Sequence, residues 1–265
     1  MAVLIERVLG PGAGNADAIL TAKALSKEFR GFFAVRDFDF DIRRHSIHAL
    51  IGPNGAGKTT VFNLLTKVLQ PSGGSIAFNG TDITTLAPAK VARMGMVRSF
   101  QISAVFPQMT ALENVCVALQ RPAGLATSWL RPRSALRSLH GRARELLEAV
   151  RLAGFADRPA AELSYGRKRA LEIATTLALE PELLLLDEPM AGMGHEDVAH
   201  TIALIREVAK GRTVLMVEHN LAAVSELCDR ITVLARGERL AEGTYAEVSA
   251  DPEVRRAYMG SAAHA

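Results

Sequence analysis

The sequence predicts an α/β fold, and three observations predict it. Four short apolar runs, His48–Ile51, Leu183–Leu186, Val214–Val217 and Ile231–Leu234, have the composition of strands buried on both faces of a parallel sheet. Helical periodicity lies between them, clearest where Val198, Ile202, Ile205 and Val208 recur three to four residues apart. A different pattern occupies Val35–Ile42, where Phe38, Phe40 and Ile42 alternate with Asp37, Asp39 and Asp41. That alternation belongs to a half-buried strand of an antiparallel sheet, so a parallel core with a smaller antiparallel piece is expected.

Taken in chain order, residues 10–16, Gly-Pro-Gly-Ala-Gly-Asn-Ala, read as a flexible lead-in. The alternating strand comes next, then the run ending at Ile51, and Thr60-Val-Phe-Asn-Leu-Leu-Thr66 reads as a helix. Ser75-Ile-Ala-Phe78 is a strand, and Asn79-Gly80 after it is a tight turn. From about 102 to 162 the pattern becomes helical and basic. Between Arg121 and Arg144 there is no acid, and Arg131, Arg133, Arg137 and Arg142 add to the two end arginines. This reads as a solvated cationic surface, with contact to a partner or to anionic lipid as the alternative. Its one aromatic, Trp129, is little for stacking single-stranded nucleic acid. Beyond the Leu183 run, the helix over Val198–Val208 has Gly211 as its stop, and the two remaining runs complete the sheet.

Composition excludes several classes. The chain has 265 residues, 49% hydrophobic and 22% charged, which suits a folded domain with a sizeable core. A net charge of +3 is too small to indicate a nucleic-acid protein by itself. Cys116 and Cys228 are the only cysteines and suggest a reducing compartment. His195 and His200, beside Glu196 and Asp197, are five residues apart, about 500° around a helix, so they point apart and read as a solvated helix start. No signal-peptide pattern and no apolar run of about 18 residues is present, so any membrane role is expected through a partner.

The chemistry is concentrated in two segments. Gly52-Pro53-Asn54-Gly55-Ala56-Gly57-Lys58-Thr59 fits G-x-x-x-x-G-K-[ST] in full, after a strand and before the helix opened by Thr60. Glycines let backbone N–H groups close around phosphate oxygens, and the helix N-terminus adds its positive end. Lys58 supplies a cation for the β- and γ-phosphates of a bound nucleotide, and Thr59 a hydroxyl for Mg²⁺. The second segment is Leu183-Leu-Leu-Leu-Asp187-Glu188, a buried strand delivering two carboxylates at its carboxyl end, the edge where open α/β sheets bind ligands. Asp187 suits Mg²⁺ and Glu188 suits a general base toward water.

The order of the remaining motifs resembles the ATP-binding subunit of ABC transporters, over roughly residues 18 to 260. Gln101, in Arg98-Ser-Phe-Gln101, stands where that family has its glutamine loop, which implies a ligand for Mg²⁺ and water that also reports to the membrane subunit. Leu163-Ser164-Tyr165-Gly166-Arg167 is similar to the signature Leu-Ser-Gly-Gly-Gln. Ser164 would cap the helix running toward Glu180, and Ser164 with Gly166 would hold the γ-phosphate bound by the opposite subunit. His219, in Val217-Glu-His219-Asn, matches the histidine loop, implying contact with the γ-phosphate and with Glu188. Phe29 stands where the family stacks an aromatic on adenine, with Phe32 and Phe33 close by.

The resemblance implies a P-loop NTPase (RecA-like) core with a small antiparallel β subdomain, over 17–101 and 165–265. It adds a helical signature subdomain over 102–164. It implies a dimer, with itself or a sister ATPase, that sandwiches two ATP molecules. The partners would be transmembrane permease subunits and, indirectly, a solute-binding protein, on the cytoplasmic face of the inner membrane. No nucleic acid is expected. Tyr165 and Arg167 depart from the signature, and Gly194 stands where the loop after Glu188 has an acid. Met96-Val-Arg-Ser-Phe-Gln101, Ala191-Gly192 and the ending Asp251–Gly260 are similar to the branch that takes up branched-chain amino acids. A lipopolysaccharide-type exporter ATPase, a non-transport ATPase acting on nucleic acid or ribosomes, and an inactive scaffold are the alternatives.

Overall fold

The structure, a computed structural model, describes residues 17–99, 105–124 and 138–262. A hairpin of β1 (Ala18–Phe29) and β2 (Phe32–Arg43) leads to β3 (Ile47–Ile51) and α1 (Lys58–Leu65). Next come β4 (Gly73–Phe78), β5 (Thr81–Asp82), α2 (Pro88–Arg93) and β6 (Met96–Arg98). Helices α3 (Ala111–Leu119), α4 (His140–Ala149) and α5 (Tyr165–Leu177) follow. The rest alternates: β7 (Leu183–Asp187), α6 (His195–Val208), β8 (Thr213–Val217), α7 (Leu221–Leu227), β9 (Arg230–Ala235) and β10 (Glu238–Gly243). Helices α8 (Tyr245–Ala250) and α9 (Pro252–Ala262) end the described chain.

The larger sheet has the order β10-β9-β3-β8-β7-β6. It is parallel from β9 to β6, with β10 antiparallel on one edge. Successive residues of a strand face opposite sides, so the apolar runs serve two cores. Leu184, Leu186, Val214, Met216, Ile231 and Val233 enter a core with α3–α8. Leu183, Leu185, Leu215, Val217 and Leu234 enter a second, with α1 and the antiparallel sheet. Every residue of β3, β7 and β8 is buried, and truncating one of these leucines to Ala would cost about 2–5 kcal/mol.

The antiparallel sheet has the order β2-β1-β4-β5. Phe38, Phe40 and Ile42 face the second core while Asp37, Asp39 and Asp41 face water, the expected alternation. Asn79 and Gly80 both take positive φ, 51° and 73°, the turn that joins β4 to β5. The long strand β1 was not expected. Its alternation is broken by bulges, one at Ala24 (φ 46°), whose N–H donates to Asp39 Oδ1 at 2.7 Å. The basic segment contributes α3 and α4, with Arg121, Arg142 and Arg144 exposed. Trp129, Arg131, Arg133 and Arg137 lie outside the described residues, as does the lead-in before residue 17. Both thiols are free, and burial raises them, Cys228 to about 12. No described helix is long and apolar enough to cross a membrane.

Candidate active site

Strand order builds the site. In the parallel sheet β3 lies between β9 and β8, with β7 and β6 beyond. Leu50 pairs with Val217, Val217 pairs with Asp187, and Arg98 pairs with Leu185. The segments leaving the carboxyl ends of these strands therefore emerge side by side: Gly52–Lys58, Glu218–Asn220, Glu188–Met190 and Ser99. This is the edge at which open α/β sheets bind ligands.

The phosphate-loop sequence has a backbone that needs its glycines. Gly52, Gly55 and Gly57 take φ of 152°, 77° and 106°. A Cβ at Gly52 would come within 2.1 Å of the Leu234 carbonyl oxygen, and one at Gly57 within 2.5 Å of that of Ala34. Gly237, in the turn between β9 and β10, accepts from the Arg36 N–H and donates to Ala56 O, both at 2.9 Å, so β2, the loop and β10 are tied together. From the far end of the chain, Tyr258 on α9 meets the Gly52 backbone. Burial raises its phenol to about 12 against that backbone contact. Lys58 Nζ donates to Gly52 O at 2.7 Å and Pro53 O at 2.9 Å. Burial lowers its pKa, and the charge of Glu188 acts in the opposite sense. Thr59, in the first turn of α1, is exposed, and Thr60 is half-buried.

Asp187 is buried at the end of β7 and forms an ion pair with Arg98. Arg98 also donates to Asn63 Oδ1 at 2.7 Å and lies 5.5 Å from the centre of the Phe62 ring, so it links β6, β7 and α1. Glu188 takes φ 44°, a conformation costing about 1–3 kcal/mol for a residue other than glycine. Its N–H donates to Val217 O at 2.9 Å. Glu218 accepts three backbone N–H bonds, from Met190, His219 and Asn220. Motif spacing singles out neither Arg98 nor Glu218. The signal available was a charged residue at the end of an apolar strand, Arg98 as the last residue of β6 and Glu218 directly after β8 and beside His219.

These residues suit Mg²⁺ with a nucleotide. Thr59 and Asp187 offer the hard oxygen donors that Mg²⁺ prefers. No group of three or more His, Cys, Asp or Glu side chains able to hold a metal unaided occurs among the described residues. Substrate phosphates would have to complete the shell, as is usual for Mg²⁺.

Ser164 takes the N-cap position of α5 with extended backbone (φ −61°, ψ 163°), but its side chain makes no capping hydrogen bond. The expected cap is one of position only. Ser164, Gly166 and Arg167 line a cleft with Glu196, Asp197 and His200, about 540 Å³ in volume. The cleft beside Pro53–Ala56 is a different one, lined by Arg236, Glu238, Arg239, Glu253 and Arg256 and by none of the signature residues. The two departures have partners. The Tyr165 hydroxyl donates to Ala191 O at 3.1 Å, and the Arg167 guanidinium lies 4.0 Å from the centre of the Phe155 ring. His219 is exposed at the sheet edge. Phe29 is 44% exposed at the tip of the β1–β2 hairpin, with Lys27 Nζ 5.1 Å from its ring centre. Gln101 lies outside the described residues. His200 is exposed, in keeping with a solvated helix start.

Comparison with known proteins agrees with this geometry. The ABC transporter family profile matches residues 35–191, and one for the branched-chain amino acid ATP-binding cassette transporter matches residues 238–264. The chain is 40% identical over 251 residues to the high-affinity branched-chain amino acid transport ATP-binding protein LivG of Salmonella typhimurium, covering 92% of this chain and 98% of LivG. Identity and coverage are the same for BraF of Pseudomonas aeruginosa, which carries the same description. The lipopolysaccharide export ATP-binding protein LptB of Acidithiobacillus ferridurans is 36% identical over 243 residues, with 91% and 97% covered. Among solved structures, an ATP-binding cassette of an ABC transporter in its ADP conformation superposes with a TM-score of 0.81 at 29% identity, covering 92% of this chain and 99% of that one.

Proposed function

We propose that this chain, which belongs to the ABC transporter family of ATPases, is the ATP-hydrolysing subunit of an importer for branched-chain amino acids or a similar small solute. The observation that carries the reading is the strand order, which brings the phosphate loop, the Asp187-Glu188 pair and the histidine loop to one sheet edge. The relatives LivG and BraF, and the match over residues 238–264, support the substrate class.

In this reading the N–H groups of Gly52–Thr59 and the Lys58 ammonium hold the phosphates of ATP, and Phe29 stacks on adenine. Mg²⁺, held by Thr59, Asp187 and Gln101, would neutralise charge on the β- and γ-phosphate oxygens. Glu188 takes the proton of the attacking water, and His219 contacts the γ-phosphate and steadies Glu188. Ser164 and Gly166 face the γ-phosphate held by a second ATPase subunit. Their placement in a different cleft from the phosphate loop supports a two-subunit site. A groove of about 290 Å³ lined by Val97, Val117, Ala118 and Leu179 opens beside β6, the strand leading to Gln101. It supports a path from the permease subunits to the site, with the protein peripheral on the cytoplasmic face of the membrane.

The test is ATPase activity of the purified chain alone, with DNA or RNA, and in proteoliposomes with permease subunits of a branched-chain amino acid importer. Stimulation by the permease is expected. Stimulation by nucleic acid and not by the permease would overturn the transport reading and leave the ATPase.

A further inference from the structure

The geometry points to Glu218 as a positioning residue that locks the histidine loop to the turn carrying Glu188. Its side chain is 1% exposed and forms no ion pair among the described residues. A carboxylate buried without a cation must be satisfied by hydrogen bonds. Here one oxygen accepts from the Met190 N–H at 2.9 Å, and the other from His219 at 2.9 Å and Asn220 at 3.1 Å. The two oxygens thus hold two different loops.

The Met190 side of this clamp bears on Glu188. Glu188 sits at φ 44°, a conformation that persists only where its surroundings enforce it. Three bonds do so: Glu188 N–H to Val217 O, Ala191 N–H to Glu188 O at 3.1 Å, and Met190 N–H to Glu218. Two of the three come from the end of β8. The other oxygen fixes the backbone of His219 itself. One side chain therefore sets the spacing between the proposed base and the proposed γ-phosphate contact.

Only a carboxylate suits this place. An amide accepts at one oxygen, and its NH₂ would face a backbone N–H, so Glu218→Gln must release one loop. The inference rests on the roles proposed for Glu188 and His219, and its test separates the two. Glu218→Gln is expected to lower kcat by about 10- to 100-fold, the scale of a small misplacement of a catalytic group. The KM for ATP and the affinity for a fluorescent ATP analogue should stay within about twofold, because the phosphate loop is untouched. In a Glu188→Gln background, Glu218→Gln should lower kcat no further, since residues that act as a unit are not additive. Glu218→Asp, which keeps both acceptors, should recover part of the loss. Unchanged kcat in Glu218→Gln, beside an inactive Glu188→Gln, would overturn the clamp alone. An active Glu188→Gln would overturn the underlying assignment of the base. Parallel loss of ATP affinity and kcat, or an additive loss in the double variant, would mark Glu218 as a general structural residue and reject the inference.

Discussion

In the proposed site, Glu188 and Lys58 divide the work between neighbouring side chains. Lys58 bonds the carbonyls of its own loop at Gly52 and Pro53, so its ammonium stays at the mouth of the cradle. Glu188, one residue past the buried Asp187, is held in left-handed backbone at the strand end. Glu188→Gln keeps the shape and removes the basic oxygen. It is expected to bind ATP with unchanged affinity, to lower kcat by about 10²–10⁴-fold and to accumulate a closed dimer on size exclusion with ATP. Lys58→Ala should lose ATP binding instead. Normal turnover by Glu188→Gln would remove it as the base. Residues of this kind could be proposed from the sequence because their motifs are local in spacing, as in Gly52–Thr59. Arg98 and Glu218 were not, because their partners Asp187 and Met190 lie 89 and 28 residues away and meet them only through the register of β6, β7 and β8.

Among the elements, β3 and β9 meet through a buried polar pair. His48 on β3 shares a hydrogen bond of 2.8 Å with Thr232 on β9 and packs edge-on against Phe40 of β2. Burial draws its pKa down to about 4, with Arg230 and Arg43 in the same direction and Glu242 opposing. The fold therefore holds His48 neutral. Its contribution is complete above the unfolded pKa of 6.5 and is lost as pH falls toward 4, a total of about 3 kcal/mol. Urea unfolding at pH 7 and pH 4.5 should show a larger acid loss for the wild type than for His48→Gln. Equal losses would contradict the assignment. The strands differ in legibility for a related reason. β3, β7, β8 and β9 lie between two cores and are mostly apolar on both faces, so their sequences announce them. β1 is bulged, and β10, Glu-Arg-Leu-Ala-Glu-Gly, is an edge strand with exposed polar positions, so neither keeps a clean pattern.

Over the whole molecule, the six-stranded sheet is the common frame. One face carries the antiparallel sheet and α1, the other the helices, and the carboxyl edge collects the phosphate loop, the acids and the histidine loop. Three further surfaces are the hairpin tip with Phe29, the cleft with Ser164 and Gly166, and the groove beside β6. In the proposed reading these are the contacts with adenine, a second ATPase and a permease. The most direct measurement of the central claim is a pull-down of the tagged protein from gently solubilised native membranes, read by mass spectrometry. Two hydrophobic permease subunits, a second ATPase and a solute-binding protein are expected together. Recovery of ribosomes or nucleic acid, with no membrane protein, would contradict the importer.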